Sequence, residues 1–258
     1  MRTLDEHRSL VEEYLARVAL AGELAGLTDA MRYALEGGGK RIRPVLCLAT
    51  GEAAGAEPEE LLPAAAAIEL VHTFSLVHDD LPALDDDDVR RGRASAHVEY
   101  GEAVAILAGD ALLAQALDLA LSYRQPEVAR ELARATLGMI GGQYLDVTDG
   151  RAELAQLHAL KTGRLFTAAV ASALWVAGVP EQEQGTWRAF AAYFGFLFQI
   201  VDDLLDGDGL VQERGVDAAW ALAAETEEQA RANLGEIPAD TARLDELVSG
   251  LSMRARAS

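Results

Sequence analysis

Apolar residues recur every three to four positions along most of this chain, in long runs broken by glycine, proline and short polar stretches. That period is helical. Thr28-Asp29 can cap a segment that runs to Leu35, and Gly37-Gly38-Gly39 stops it, because glycine takes positive φ without a Cβ clash. Pro44 suits the first turn of the next helix. Pro58 with Glu59 and Glu60 opens another, which passes through Ile68, Leu70, Val71, Phe74 and Val77 into Asp79. Further helices are expected over 101–121, 126–147, 162–178 and 183–206. The last carries Trp187, Phe190, Phe194, Phe198, Val201 and Leu205 at the spacing of a largely buried helix. Shorter, more charged helical patterns cover about 217–234 and 241–252. No strand is expected. Half the residues are hydrophobic and only 6% aromatic, with Ala and Leu dominating, so the expected fold is all-α. Nothing in the 258 residues marks a linker or a repeat, and one domain over 1–258 is the simplest organisation.

Charge narrows the choice of ligands. A formal net charge of −20 and a pI near 4.5 argue against general nucleic-acid binding, which needs surface cations to neutralise many phosphates. An anionic ligand would have to be held locally. Two basic islands could do so, Lys40-Arg41-Ile42-Arg43 and Arg90-Arg91-Gly92-Arg93, although such runs are usually solvated surface. Of the 22 basic residues only Lys40 and Lys161 are lysines, each in a glycine-containing segment, as if a compact ammonium were needed there. The single cysteine, Cys47, excludes an intrachain disulfide and fits a reducing compartment. The longest uncharged stretch, Leu165 to Pro180, is 16 residues long. That falls short of the roughly 20 needed to span a bilayer, and the N-terminus lacks an apolar signal core. A cytoplasmic protein without stable membrane insertion is expected.

Two acidic clusters carry the chemistry. Each continues an apolar helix: His78-Asp79-Asp80 with Asp85 to Asp88, and Asp202-Asp203-Leu204-Leu205-Asp206. Asp202 and Asp206 share a helix face, with about 5–6 Å between Cβ atoms. Asp79 and Asp85 do not share one, but Pro82 between them should break the helix and swing Asp85 back. Carboxylates gathered in an apolar wall repel unless a cation bridges them, and oxygen ligands of this kind suit Mg²⁺ shared with a phosphate-bearing substrate. Asp202 to Asp206 alone is equally readable as a solvated acidic helix end, and a run such as Asp85 to Asp88 alone is more often a solvated loop.

Five segments occur in a fixed order: Gly38-Gly39-Lys40-Arg41-Ile42-Arg43-Pro44, His78-Asp79-Asp80 through Arg90-Arg91-Gly92, Gly141-Gly142-Gln143-Tyr144-Leu145-Asp146, Lys161-Thr162-Gly163, and Phe198-Gln199-Ile200-Val201-Asp202-Asp203-Leu204-Leu205-Asp206. In that order and spacing the chain resembles the trans-isoprenyl diphosphate synthase (polyprenyl synthetase) family, especially its bacterial farnesyl diphosphate synthases, over about 28–208. The resemblance implies an antiparallel helical bundle around a central cavity, usually a homodimer, that condenses isopentenyl diphosphate with an allylic diphosphate. It assigns Asp79, Asp80, Asp85, Asp202, Asp203 and Asp206 to a site for three Mg²⁺, with Asp79, Asp85 and Asp202 the safest direct ligands. Arg90, Lys161 and Gln199 would hold the allylic diphosphate or flank the cation formed when it departs, and Thr162 would stabilise that cation. Lys40, Arg43, His72 and Arg91 would bind isopentenyl diphosphate without metal. A lone histidine such as His72 is more often structural, and His97 and His158 are left in that role. No catalytic acid or base stands out, and in this family the departing diphosphate takes the final proton.

Phe74 lies five residues before Asp79, about 7.5 Å down the helix axis, where a ring would stop a growing isoprenoid tail. With the two-residue insertion in the first aspartate motif, this resembles the farnesyl-making type. Two departures from the family pattern stand out. No lysine follows the second aspartate motif, where Gln212 occupies the neighbourhood of one expected lysine, Arg214 is the available substitute and the chain is shorter than the pattern; and Ala94-Ser95 replaces the usual Pro-Thr. Alternatives are a synthase making geranyl or geranylgeranyl diphosphate, and a non-catalytic partner subunit of another synthase. A class I terpene cyclase would lack the isopentenyl site and would need an Asn-Ser-Glu-type motif that the chain does not contain.

Overall fold

The computed structural model describes residues 1–148 and 157–256. The described residues form twelve α-helices: α1 (Leu4–Arg17), α2 (Leu27–Glu36), α3 (Ile42–Ala53), α4 (Pro58–Asp79), α5 (Ala96–Tyr100), α6 (Glu102–Leu121), α7 (Pro126–Thr148), α8 (Arg164–Val176), α9 (Gly185–Asp206), α10 (Leu210–Arg214), α11 (Val216–Glu236) and α12 (Ala242–Arg256). The all-α expectation holds. Its exception is a two-residue antiparallel ladder, β1 (Val89–Arg90) with β2 (Arg93–Ala94). Arg91 and Gly92 turn this hairpin with φ of 54° and 75°, the backbone that a tight two-residue hairpin loop requires.

Helix α4 lies at the centre, packing on α3, α6, α8 and α1. It is buried nearly all round, from Leu61 through Val77, so it shows no amphipathic stripe. Pro58 starts it where a missing N–H costs nothing, and a Glu57/Glu60 capping box closes its first turn. Helix α9 buries Trp187, Phe190, Phe194, Leu197 and Val201 against α8 and α11. Each such side chain contributes about 1.5–3 kcal/mol by leaving water. These two long helices end in the two acidic clusters, and their core packing positions the clusters.

Helix α1 and the short α5 and α10 were not expected from the apolar period. For α1 the signal was the capping box Thr3 and Glu6, whose side chains reciprocally bond each other's backbone N–H. Two helices, Pro58–Asp79 and Glu102–Leu121, are long and apolar enough to cross a membrane by length and composition. The first is a core helix; the second is less buried and exposes Ile106, Leu107 and Leu121.

Candidate active site

The first acidic cluster is built by a helix end and a closed loop. α4 stops at Asp79, and the chain doubles back so that the Asp85 N–H donates to the Asp79 carbonyl at 2.8 Å. Leu84 N–H and Asp86 N–H both donate to the Leu81 carbonyl, and Asp86 adopts φ of 54°. The return of Asp85 expected from Pro82 is therefore present. The neighbouring acids differ. Burial pushes Asp79 up to about 6, with Asp85 and Asp80 adding repulsion and Lys161 the strongest opposing charge. Asp80 is buried and accepts from Arg90, whose Nε lies 2.8 Å away, while Arg90 Nη2 also bonds Asp87. Arg90 is thus engaged by carboxylates here.

The second cluster repeats the pattern on α9. Burial raises the Asp202 pKa, and Arg254 of α12 is the largest charge opposing that rise, with Nη1 at 2.9 Å from Asp202 Oδ1. Asp203 is buried and bound from three directions. It accepts from the Leu210 N–H at 2.9 Å and from Gln199 Nε2 at 2.8 Å, and His158 Nε2 lies 3.8 Å from it. Asp206 ends the helix, one turn after Asp202, and is exposed.

A five-residue π-turn, Ala159–Gly163, links the two clusters. Lys161 Nζ bonds Asp146 of α7 at 2.7 Å and is close enough to Asp79 to stabilise its charge. The Thr162 hydroxyl donates to Gln199 Oε1 at 2.8 Å. With its proton committed there, the Thr162 oxygen keeps its lone pairs for a positive centre. Gly142 permits the close approach of α7, since a Cβ there would sit 2.8 Å from the Lys161 nitrogen. The adjoining Gln143 amide is buried and, among the described residues, has no hydrogen-bond partner.

Lys40, Arg43, His72 and Arg91 come together. They line one cavity of about 360 Å³ with Phe198, Asp202 and Arg254. Burial lowers the Arg43 pKa to about 10, and its guanidinium stacks over the Phe166 ring at 4.5 Å. Its Nη1 is 3.4 Å from His72 Nε2. Burial among arginines holds His72 well below its ordinary pKa, so the ring is neutral and accepts from Arg43. Arg91 donates to the Gly38 carbonyl, and a Cβ on Gly39, at φ of 133°, would collide with its guanidinium. Arg41, in the same basic run, belongs elsewhere. It is buried and spent on Glu12 of α1 and Glu69 of α4, at 2.7 and 2.5 Å.

Glu69 was missed by sequence reasoning, although a lone carboxylate in the apolar run 61–71 is a legible signal. Arg254 left none. Arg214, the substitute expected for a missing lysine, is exposed and pairs with its neighbour Glu213. Phe74 is buried and packs edge-to-face on His78, with ring centroids 5.0 Å apart. His97, left as structural, bonds Ser95. Among the described residues no three His, Cys, Asp or Glu side chains converge tightly enough to hold a metal by themselves. Desolvated, mutually repelling carboxylates on two helix ends fit an ion that takes one or two oxygens from the protein and the rest from phosphate and water.

A cation-lined cavity beside two carboxylate-bearing helix ends suits a diphosphate ligand, and the family model for polyprenyl synthetase matches residues 25–217. The chain belongs to this family, whose members are metal-dependent prenyltransferases. It is 42% identical to the geranylgeranyl diphosphate synthase of Cyanophora paradoxa over 218 residues, 79% of this chain and 73% of the relative. It is also 42% identical to the farnesyl diphosphate synthase of Geobacillus stearothermophilus over 229 residues, 82% of this chain and 77% of that one. The crystal structure of geranyltranstransferase from Thermotoga maritima superposes with a TM-score of 0.89 at 31% identity, covering 99% of each chain.

Proposed function

We propose that this enzyme condenses isopentenyl diphosphate with dimethylallyl or geranyl diphosphate to give farnesyl diphosphate. The observation that carries this reading is the cavity where Lys40, Arg43 and Arg91 gather beside Asp202. It offers a metal-independent diphosphate pocket at the edge of a carboxylate pair suited to a metal-bound one. Asp79, Asp85, Asp202 and Asp206 would hold Mg²⁺, three ions by family resemblance. Asp80 and Asp203, tied to Arg90 and to Leu210 and Gln199, would orient their neighbours or add an outer oxygen. When bound, Mg²⁺ neutralises the charge that develops on the departing diphosphate.

Lys161 would hold the allylic diphosphate beside Asp79, and Arg90 would join it by exchanging a carboxylate for a phosphate. Thr162, oriented by Gln199, presents its oxygen to the allylic cation. Lys40 and Arg91 grip the isopentenyl diphosphate, and neutral His72 aims Arg43 at it. The double bond of that second substrate attacks the cation, and the proton lost afterwards passes to the released diphosphate.

A homodimer is part of this proposal. Helix α6 exposes Ile106, Leu107 and Leu121, and α7 exposes Leu137, Ile140, Tyr144 and Val147, apolar surface that a second copy would cover. A reducing, cytoplasmic setting fits the single buried Cys47. The competing product is geranylgeranyl diphosphate, since the identity to relatives of both names is equal; Phe74 favours the shorter one.

Incubation with isopentenyl diphosphate, Mg²⁺ and each allylic starter, followed by chromatography of dephosphorylated products, tests the reading. Fifteen-carbon product is expected from the natural chain, shifting toward twenty carbons in Phe74→Ala. An unchanged distribution in the variant would show that another residue closes the tail pocket, and twenty carbons from the natural chain would favour the alternative.

A further inference from the structure

The chain has no lysine after Lys161, yet a cation sits on the second acidic cluster. It arrives from the last helix. Arg254 Nη1 is 2.9 Å from Asp202 Oδ1, and the two side chains are 35% and 30% exposed, so neither is locked in the core. Arg254 also lines the cavity of Lys40, Arg43 and Arg91, and its charge adds to the desolvation that lowers the Lys40 pKa. On its other side, Arg254 and Lys40 border a second cavity of about 440 Å³ between α1, α3 and α12, walled by Leu4, Val45 and Leu247. One guanidinium thus stands between an acidic cluster and an anion pocket, on a helix with room beside it.

We propose that Arg254 is a built-in counter-ion for Asp202, which a divalent cation must displace, and that the released guanidinium joins Lys40, Arg43 and Arg91 in gripping isopentenyl diphosphate. The inference rests on the reading of Asp202 as a metal-binding residue. A dication and a guanidinium on one carboxylate repel across a few ångströms in a partly desolvated site, so binding of one favours departure of the other. Asp5 and Glu246 also line the second cavity but are paired with Arg8 and Arg243, so the anion left for the expelled Arg254 is the one that Lys40 and Arg91 hold. Filling of the metal site then raises the affinity of the other site, and by linkage the second substrate favours retention of the metal. Arg254 acts here as a positioning and binding residue, not in the bond-making step.

Titrating Mn²⁺ into the full chain and following the free-ion paramagnetic resonance signal reads the competition without turnover. Arg254→Gln should bind Mn²⁺ about two- to fivefold tighter than the natural chain, the scale of one partly exposed ion pair. Arg254→Lys, which keeps the charge, should stay within about twofold. Arg256→Gln is the control, because Arg256 faces Glu227 and not the cluster, and should leave Mn²⁺ binding unchanged. Asp202→Asn should weaken it. In steady state, Arg254→Gln should raise the KM for isopentenyl diphosphate several-fold and leave that for the allylic substrate unchanged. Unchanged or weaker Mn²⁺ binding in Arg254→Gln overturns the counter-ion role, and an unchanged isopentenyl KM overturns the handover. If Asp202→Asn binds Mn²⁺ as the natural chain does, the metal reading of Asp202 falls and takes this proposal with it. Matching circular dichroism spectra across the set keep these outcomes free of misfolding.

Discussion

The two acidic clusters bring carboxylates together with different backbones. On α9 the acids at 202 and 206 share a face through the helix's own period, and a regular helix suffices. At the end of α4 the useful partners are six residues apart, and the chain must leave the helix and hydrogen-bond Asp85 back to Asp79. In both, one aspartate keeps a raised pKa from burial while its successor is tied into the protein. The tying differs in consequence. Asp80 holds Arg90, which solvent reaches, whereas Asp203 satisfies the buried N–H of Leu210 and so anchors the chain after α9.

The strongest way to break the symmetry is to remove either raised carboxylate. Asp79→Ala and Asp202→Ala should each lower turnover by about 10²–10³-fold, the scale of losing a main electrostatic stabiliser, with the fold retained. A kcat near normal in one variant would show that its cluster is dispensable.

A smaller effect separates the tied acids. Asp203→Ala should cost about 1–3 kcal/mol in urea denaturation, because a buried donor loses its acceptor. Asp80→Ala should cost less than about 1 kcal/mol, because Arg90 can turn to Asp87 and water. Equal losses would mean that the two clusters brace the fold alike.

The remaining effect is on pH. Asp79 has its pKa raised from 3.8 to about 6, so between these values the folded chain binds more protons than the unfolded one. Its contribution therefore favours the metal-free fold below pH 4 and is lost as pH rises through 6. Divalent-ion affinity should move the opposite way, falling by up to about tenfold per pH unit below 6 as Asp79 gains its proton. Calorimetric titration of Mg²⁺ from pH 5 to 8 checks this, and Asp79→Asn should flatten the profile.

Periodicity and punctuation made the long helices legible, because the same apolar residues that specify α4 and α9 also bury them. The clusters were legible for a related reason: acids that interrupt an apolar helix need compensation. What the sequence hid was direction. Asp79 and Asp80 are adjacent letters, as are Asp202 and Asp203, and only the packed helix decides which one meets Arg90 or the Leu210 nitrogen. Lys40 and Arg41 are also adjacent, yet a left-handed backbone at Arg41, φ of 48°, sends it into Glu12 and Glu69. Arg254 was hidden by distance along the chain, 52 residues from Asp202.

The π-turn at Ala159–Gly163 makes residue count itself a functional quantity. Such a turn carries one residue more than regular winding, and each residue advances a helix by about 100°. Deleting a single residue there would let the segment rewind smoothly into α8 while rotating what precedes it, carrying Lys161 off Asp146 and away from Asp79. The composition would hardly change, and helix content would rise. Tolerance of this stretch to indels should accordingly be far lower than its tolerance to substitution at Ala159 or Leu160, a pattern of constraint opposite to that of an ordinary surface loop.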